Sequence, residues 1–319
     1  MMEEIGKFSR PVMLLAFALM TCAAAPIPAD KQIPASVTRT IAGPKNDALF
    51  MPTDVAVDSK NRVYVADGVN DRIVRFSADG ELDLAFARIG EQTLSHPVGV
   101  TVDASDVIYI TDTGHHRIIV ATPDGKLRET IDLPAASGTG EHSADPTKVA
   151  VKPDGSRLYV VDNENHRILI RAAAEGADKS WTILGKSGKA LGQFQWPFML
   201  CIGEEDYVYV TEAIGCRVQM ISPTDRWAGQ VSQWGITLGS LYRPKGIAAD
   251  GKGRVFVSDS TLSVVQVFNP RGNLEGILTD DDGKPLRFAH PMGMTFDAAG
   301  HLYVVELKEN RVAVVTLGR

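Results

Sequence analysis

Pro52 to Phe76, PTDVAVDSKNRVYVADGVNDRIVRF, decides the fold, because the chain rewrites it five more times downstream. The stretch opens on a proline, runs through a short apolar strand and a turn, and enters a second strand that ends in Asp67. A four-residue turn then leads to Arg72 and a third strand. Aligned on the proline, the copies begin at Pro52, Pro97, Pro146, Pro197, Pro244 and Pro291, at intervals of 45, 49, 51, 47 and 47 residues. An acidic residue follows each proline after 15 or 16 positions: Asp67, Asp112, Asp162, Glu212, Asp259 and Glu306. Five positions further on stand Arg72, Arg117, Arg167, Arg217 and Arg311, with Val264 in the fifth copy. Self-similarity at this period is the signature of propeller blades.

The six copies leave one strand unaccounted for. In the first five, an outer strand precedes the next proline: Leu82 to Ile89, Lys126 to Leu133, Ser180 to Gly185, Gly229 to Gly235 and Asn273 to Thr279. The last copy ends at Arg319 without one, so Ser36 to Ala42 is expected to supply it. That pairing would close an all-β, six-bladed β-propeller and remove the two edges of an open array. Ser36 to Arg319 divides into six copies of roughly 47 residues, which leaves no room for a second domain. The domain plan is an export signal over 1–25, a linker over 26–35 and the propeller over 36–319. No long helix is expected after the leader, and the Gly/Ser-rich Ala135 to Asp145 reads as a surface loop.

The leader reading rests on Lys7 and Arg10 before the apolar run Pro11 to Cys22 and the small residues Ala23, Ala24 and Ala25. The apolar run is too short to span a bilayer. Leu19-Met20-Thr21-Cys22 also resembles a lipoprotein processing site, which would put a lipid on Cys22 as the only membrane attachment. Otherwise a cut near Ala24 or Ala25 releases a soluble periplasmic or extracellular protein. The remaining cysteines, Cys201 and Cys216, fall on a first strand and a second turn. First and third strands lie roughly 10 Å apart, beyond disulfide reach, so two free thiols are expected. With 44% hydrophobic and 23% charged residues and a net charge of −6, the chain reads as soluble, and the lack of a visible basic face argues against nucleic acid as a partner.

The proline, the apolar strand, the turn carrying Asn and Arg, and the Ile-rich third strand resemble the NHL repeat, whose family fold is a six-bladed β-propeller. Asp162-Asn163-Glu164-Asn165-His166-Arg167-Ile168 is nearly its signature. The first repeat is also similar to a repeat of the peptidylglycine amidating lyases, zinc-dependent propellers of NHL type. That resemblance implies zinc-binding histidines directly after the proline on three blades. Here the corresponding residues are Thr53, Val98, Thr147, Phe198, Lys245 and Met292, so the zinc set is not matched. The calcium-binding Glu, Asn and Asp of gluconolactonase-type propellers cannot be assembled either. No cofactor and no metal is expected, and no catalytic residue is assigned.

A residue type that recurs in every blade is a structural device, because a chemical site needs to occur once. Asp67, Asp112, Asp162, Glu212, Asp259 and Glu306, with the arginines that follow, are therefore expected to hold turns together. His116 and His166 share a slot with Asp71, Cys216, Ser263 and Asn310 and belong to the same machinery. Function is sought where the copies differ. Residues beside the prolines should ring the channel mouth, and Asp54, His96, Lys148, Trp196, Phe198, Arg243, Lys245 and His290 form the candidate ligand-binding set. That lining suits a small anion, a peptide end or a sugar acid; it is equally consistent with channel packing in which Asp54 pairs with a lysine. Phe194, Trp196, Phe198 and Met199, with Trp181, Trp227 and Trp234, form either an apolar recognition patch or packing between blades. The leading expectation is an exported, monomeric module that binds a protein or small molecule on its loop face. The alternative is a lyase or hydrolase working at the channel mouth.

Overall fold

The computed structural model describes residues 26–136, 143–173 and 178–318. The expected leader with Cys22 lies outside the described residues, as do 137–142 of the expected surface loop. The described chain is all-β, with only single 3-10 turns such as Gly68–Asn70, Thr113–His115 and Leu307–Glu309. No helix among the described residues is long and apolar enough to cross a membrane.

Each of the first four repeats is a four-stranded antiparallel sheet. The first contains Asp54–Val57, Val63–Asp67, Arg72–Phe76 and Leu82–Phe86. Its first strand begins two residues after the proline, whereas the first strands of the other repeats begin on theirs: Pro97–Val102, Pro146–Val151, Pro197–Ile202, Pro244–Ala249 and Pro291–Phe296. A proline has no N–H to give to a ladder, and the first position of a strand is where that matters least. Val63–Asp67 and its counterparts Val208–Glu212, Val255–Asp259 and Leu302–Glu306 are buried at every residue. Strands covered on both faces need apolar residues on both, which is why these segments read as continuous rather than alternating apolar runs.

The first ordered strand, Gln32–Ile41, joins the fifth and sixth repeats into one eight-stranded sheet. Ala35 to Ile41 pairs antiparallel with Leu317 to Val312, beside the last repeat's own outermost strand, Arg311–Leu317. Gln32, Ile33 and Pro34 pair in parallel with Ile277, Leu278 and Thr279 of the fifth repeat. This corrects the expected boundary: Gln32–Ala35 is strand, not linker. The other outer strands are also shorter or shifted relative to the sequence reading, at Leu127–Asp132, Thr182–Leu184 and Trp227–Val231.

Successive first strands lie side by side, Asp54–Val57 between Pro291–Phe296 and Pro97–Val102, and so on through the repeats. They enclose a cavity of about 240 Å³ to which each repeat contributes, through Val55, Val100, Lys148, Leu200, Ile247 and Met294 among others. The close approach has a sequence cause two places after the proline, where three repeats carry glycine. A Cβ on Gly246 would sit 1.9 Å from the Met292 carbonyl oxygen, and one on Gly99 would sit 2.6 Å from that of Thr147.

Candidate functional site

Two sets of hydrogen bonds recur in the loops on the face where the first strands begin. In the first, the acidic residue at the end of each second strand accepts the N–H of the residue 17 places upstream: Phe50 to Asp67, Ser95 to Asp112, Asp145 to Asp162, Gln195 to Glu212, Tyr242 to Asp259 and Ala289 to Glu306. The arginine five places on donates its Nε to the same carboxylate at 2.5–2.7 Å, as in Arg72 to Asp67, Arg117 to Asp112, Arg167 to Asp162, Arg217 to Glu212 and Arg311 to Glu306. Asp259 has Val264 in that position. It takes instead the N–H groups of Arg243, Thr261 and Leu262 as well as that of Tyr242, so its oxygens are satisfied by backbone alone.

The second set links consecutive repeats. Asp71, His116, His166, Cys216, Ser263 and Asn310 all adopt the left-handed conformation, with φ between 52° and 60°. In five of them the side chain reaches the loop that enters the next repeat. Asp71 Oδ1 accepts from His96 N, His166 Nδ1 accepts from Trp196 N, and Cys216 Sγ donates to the Tyr242 carbonyl. His116 Nδ1 lies 2.7 Å from the Ala144 carbonyl, and Asn310 Oδ1 accepts from Met51 N, joining last repeat to first. Burial lowers the pKa of His166, whose Nδ1 lone pair is already engaged.

The eight candidate residues do not form one site. Asp54 and Lys148 are not on the mouth. Both are buried, and Lys148 Nζ donates to Asp54 Oδ2 at 2.5 Å and to the Val100 carbonyl at 2.8 Å. The Val100 N–H donates to the same Oδ2 at 2.9 Å, while the buried Oδ1 has no partner. The pair passes over the second repeat, where Gly99 has no side chain to obstruct it, and this is the packing alternative foreseen for Asp54. Burial drives the Asp54 carboxyl above the ordinary carboxylate range, against the pull of Lys148.

Arg243, Lys245 and His290 are electrostatic neighbours. The Lys245 ammonium lies 3.6 Å from the centroid of the Phe198 ring. Desolvation, with a smaller contribution from Arg243, brings its pKa down to about 8. His290 is lowered by burial and then by Lys308, Lys245 and Arg243, so four cationic or potentially cationic groups share this rim. Lys308 escaped the sequence reading because it lies in a turn rather than beside a proline; aligning the six turns against one another would have exposed it. His96 is exposed, with its backbone N–H held by Asp71.

The aromatic cluster of the fourth repeat divides as well. Phe194 is fully buried edge-on against Trp227 at 5.3 Å, and Met199 is buried in the core between the fourth and fifth repeats. Trp181 lies beside the Arg171 guanidinium. Trp196 stays exposed against His166, and Trp234, expected within an outer strand, lies beyond the observed strand Trp227–Val231, 68% exposed and 6.4 Å from Tyr242. Ile214 and Ile236 extend the exposed apolar surface around these loops.

Cys201 and Cys216 are free. No group of three His, Cys, Asp or Glu among the described residues could hold a metal ion. The zinc or calcium weighed from the sequence resemblance does not fit the described residues beside the prolines: of their two carboxylates, Asp54 is buried and holds an ammonium on Oδ2, Asp145 stands in another repeat, and neither belongs to a group of three ligating side chains.

Residues 58–140 match the family described as the SMP-30/gluconolactonase/LRE-like region, about a quarter of the chain. No curated protein matches the sequence. Among solved structures, a streptogramin B lyase superposes with a TM-score of 0.65 at 12% identity, covering 88% of this chain and 97% of that one. A catalytically inactive virginiamycin B lyase from Staphylococcus aureus with quinupristin gives 0.59 at 19% identity, covering 84% and 80%. A gluconolactonase from Xanthomonas campestris gives 0.60 at 16% identity, covering 84% and 86%. At these identities the likeness defines the fold, a β-propeller, and the activities in those names belong to those proteins.

Proposed function

We propose that the chain is a closed six-bladed propeller of the NHL-repeat type, exported and monomeric, that serves as a binding module through its loop face. Its ligand, or the docking end of a partner protein, carries an anionic group beside an apolar body. Three observations support the ring: the cyclic succession of first strands, the Asn310 to Met51 contact, and the hydrogen bond from Gly293 N to the Thr53 carbonyl. Export rests on the leader, with Cys22 either lipidated or lost at a cut near Ala24 or Ala25.

The observation that carries the binding reading is the grouping of Arg243, Lys245 and His290 beside Phe198, with exposed Trp196 and Tyr242 nearby. Like charges held together disfavour one another, and a bound anion relieves that repulsion. Calorimetric titration with phenyllactate, an aromatic carboxylate, tests it. One site is expected, weakened about tenfold in an Arg243→Ala/Lys245→Met protein, the scale of losing one half-buried ion pair. Equal affinity in both proteins overturns the reading.

A second reading, hydrolysis of a sugar lactone, is favoured by the match at residues 58–140. Incubation with gluconolactone separates the two. Acid release well above the uncatalysed rate, dependent on added calcium or zinc, would replace the binding module with an enzyme.

A further inference from the structure

The two lysines of the channel region have opposite surroundings. Lys148 Nζ is saturated by a carboxylate and a carbonyl. Lys245 Nζ makes no hydrogen bond or ion pair among the described residues; it rests on the Phe198 ring, half-buried, with Arg243 and His290 as its charged neighbours. A lysine in an apolar setting next to another cation sheds its proton readily, and the neutral amine is a nucleophile toward carbonyl carbon.

We propose that Lys245 is a carbonyl-trapping amine: it condenses with the keto or aldehyde carbon of an anionic oxo acid held at the mouth, forming an imine. The inference rests on the anion-binding reading above and names the class of ligand that reading leaves open. The nitrogen lone pair adds to the carbonyl carbon, a proton passes from nitrogen to oxygen, and water leaves as the carbon–nitrogen double bond forms. No electrons are gained or lost. Arg243 meets the carboxylate, Phe198 supplies an apolar wall, and the His290 ring, kept neutral by burial and by its cationic neighbours, is available to carry the proton.

Phenylpyruvate with sodium cyanoborohydride at pH 8 traps such an imine as a stable secondary amine, which peptide mass spectrometry locates. The expected result is one adduct per chain on Lys245, formed about tenfold faster than on exposed Lys60 because more of the Lys245 amine is unprotonated. It should be slowed by excess phenyllactate and absent from a Lys245→Arg protein that still binds phenyllactate. Labelling spread evenly over surface lysines, or none at Lys245 while phenyllactate binds, overturns the proposal and leaves the binding module standing. Failure of phenyllactate itself to bind removes both.

Discussion

Lys148 Nζ lies 2.5 Å from Asp54 Oδ2, although 94 residues separate them and a whole repeat stands between. A buried pair of this kind is costly to break from one side, because the survivor keeps its charge in a place water does not reach. Asp54→Asn or Lys148→Met alone should cost about 3–5 kcal/mol of unfolding free energy. The double Asp54→Leu/Lys148→Met protein should recover most of it. Urea denaturation of the three variants checks this, and additive losses would show that the two side chains act independently.

Lys245 predicts an effect of the opposite sign. Its folded pKa, about 8, lies below the ordinary 10.5, so the fold disfavours its charged form. Between those pH values the unfolded chain binds more protons than the folded one, and stability contributed at this position rises with pH across that window. Below it the desolvation cost is present in full. Lys245→Met should therefore stabilise the protein at pH 7 by about 1–2 kcal/mol after allowing for the lost contact with Phe198. The gain should shrink toward pH 10.5, as denaturation midpoints of the two proteins at both pH values would show.

The acid-arginine clasps make a comparison between repeats. Arg167 closes on Asp162 at 2.7 Å and is buried, so Arg167→Ala should cost about 3 kcal/mol. Installing the consensus residue in the fifth repeat, Val264→Arg, should bring no gain, since Asp259 is already satisfied by four backbone N–H groups and the new cation enters a buried site. Thermal unfolding of the two variants is the check.

Burial pushes the Cys201 thiol up to about 12 and raises that of Cys216 as well. Thiolate is the reactive form. In a protein from which residues 1–25 have been removed, Ellman's reagent at pH 8 should titrate neither cysteine within minutes when the chain is folded and both in guanidinium. Fast labelling of Cys201, half-buried on the cavity wall, would contradict the raised thiol.

Strand Gln32–Ile41 offers a test of the proposed ring. Thr40 pairs with Ala313, and a proline in that strand interior removes a ladder bond and distorts the pairing. Thr40→Pro should cost about 3 kcal/mol or more. It should also promote self-association through the exposed edge of Arg311–Leu317, visible by light scattering.

Much of this architecture was legible in the sequence because its cause is local and repeated. Pro52, Asp67 and Arg72 recur at fixed offsets, and each offset corresponds to one hydrogen bond or one strand boundary. The pairing of Gln32 to Pro34 with Ile277 to Thr279 was not legible, since it occurs once and leaves no spacing to read. The mouth was half legible. Asp54 and Lys148 could be recognised as charges near the channel, but the packing of Lys148 on Gly99 and of Asp54 on Gly293 could not, since spacing does not reveal close approaches. Trp196 and Phe194 are two positions apart and looked alike; one faces solvent and the other is sealed under Trp227, a difference set by the bend between them, in which Trp196 takes the left-handed conformation at φ 59°.

The ten residues from Gln32 to Ile41 are made before any of the six repeats, yet their partners lie in the fifth and sixth. Until Arg311–Leu317 has been synthesised, that strand has only the three positions of Ile277 to Thr279 to hold, and those appear late as well. A chain interrupted anywhere before its final turn thus carries an unmatched strand at one end and an unfinished sheet at the other. One stretch of backbone thus couples the fifth and sixth repeats to the segment that precedes the first.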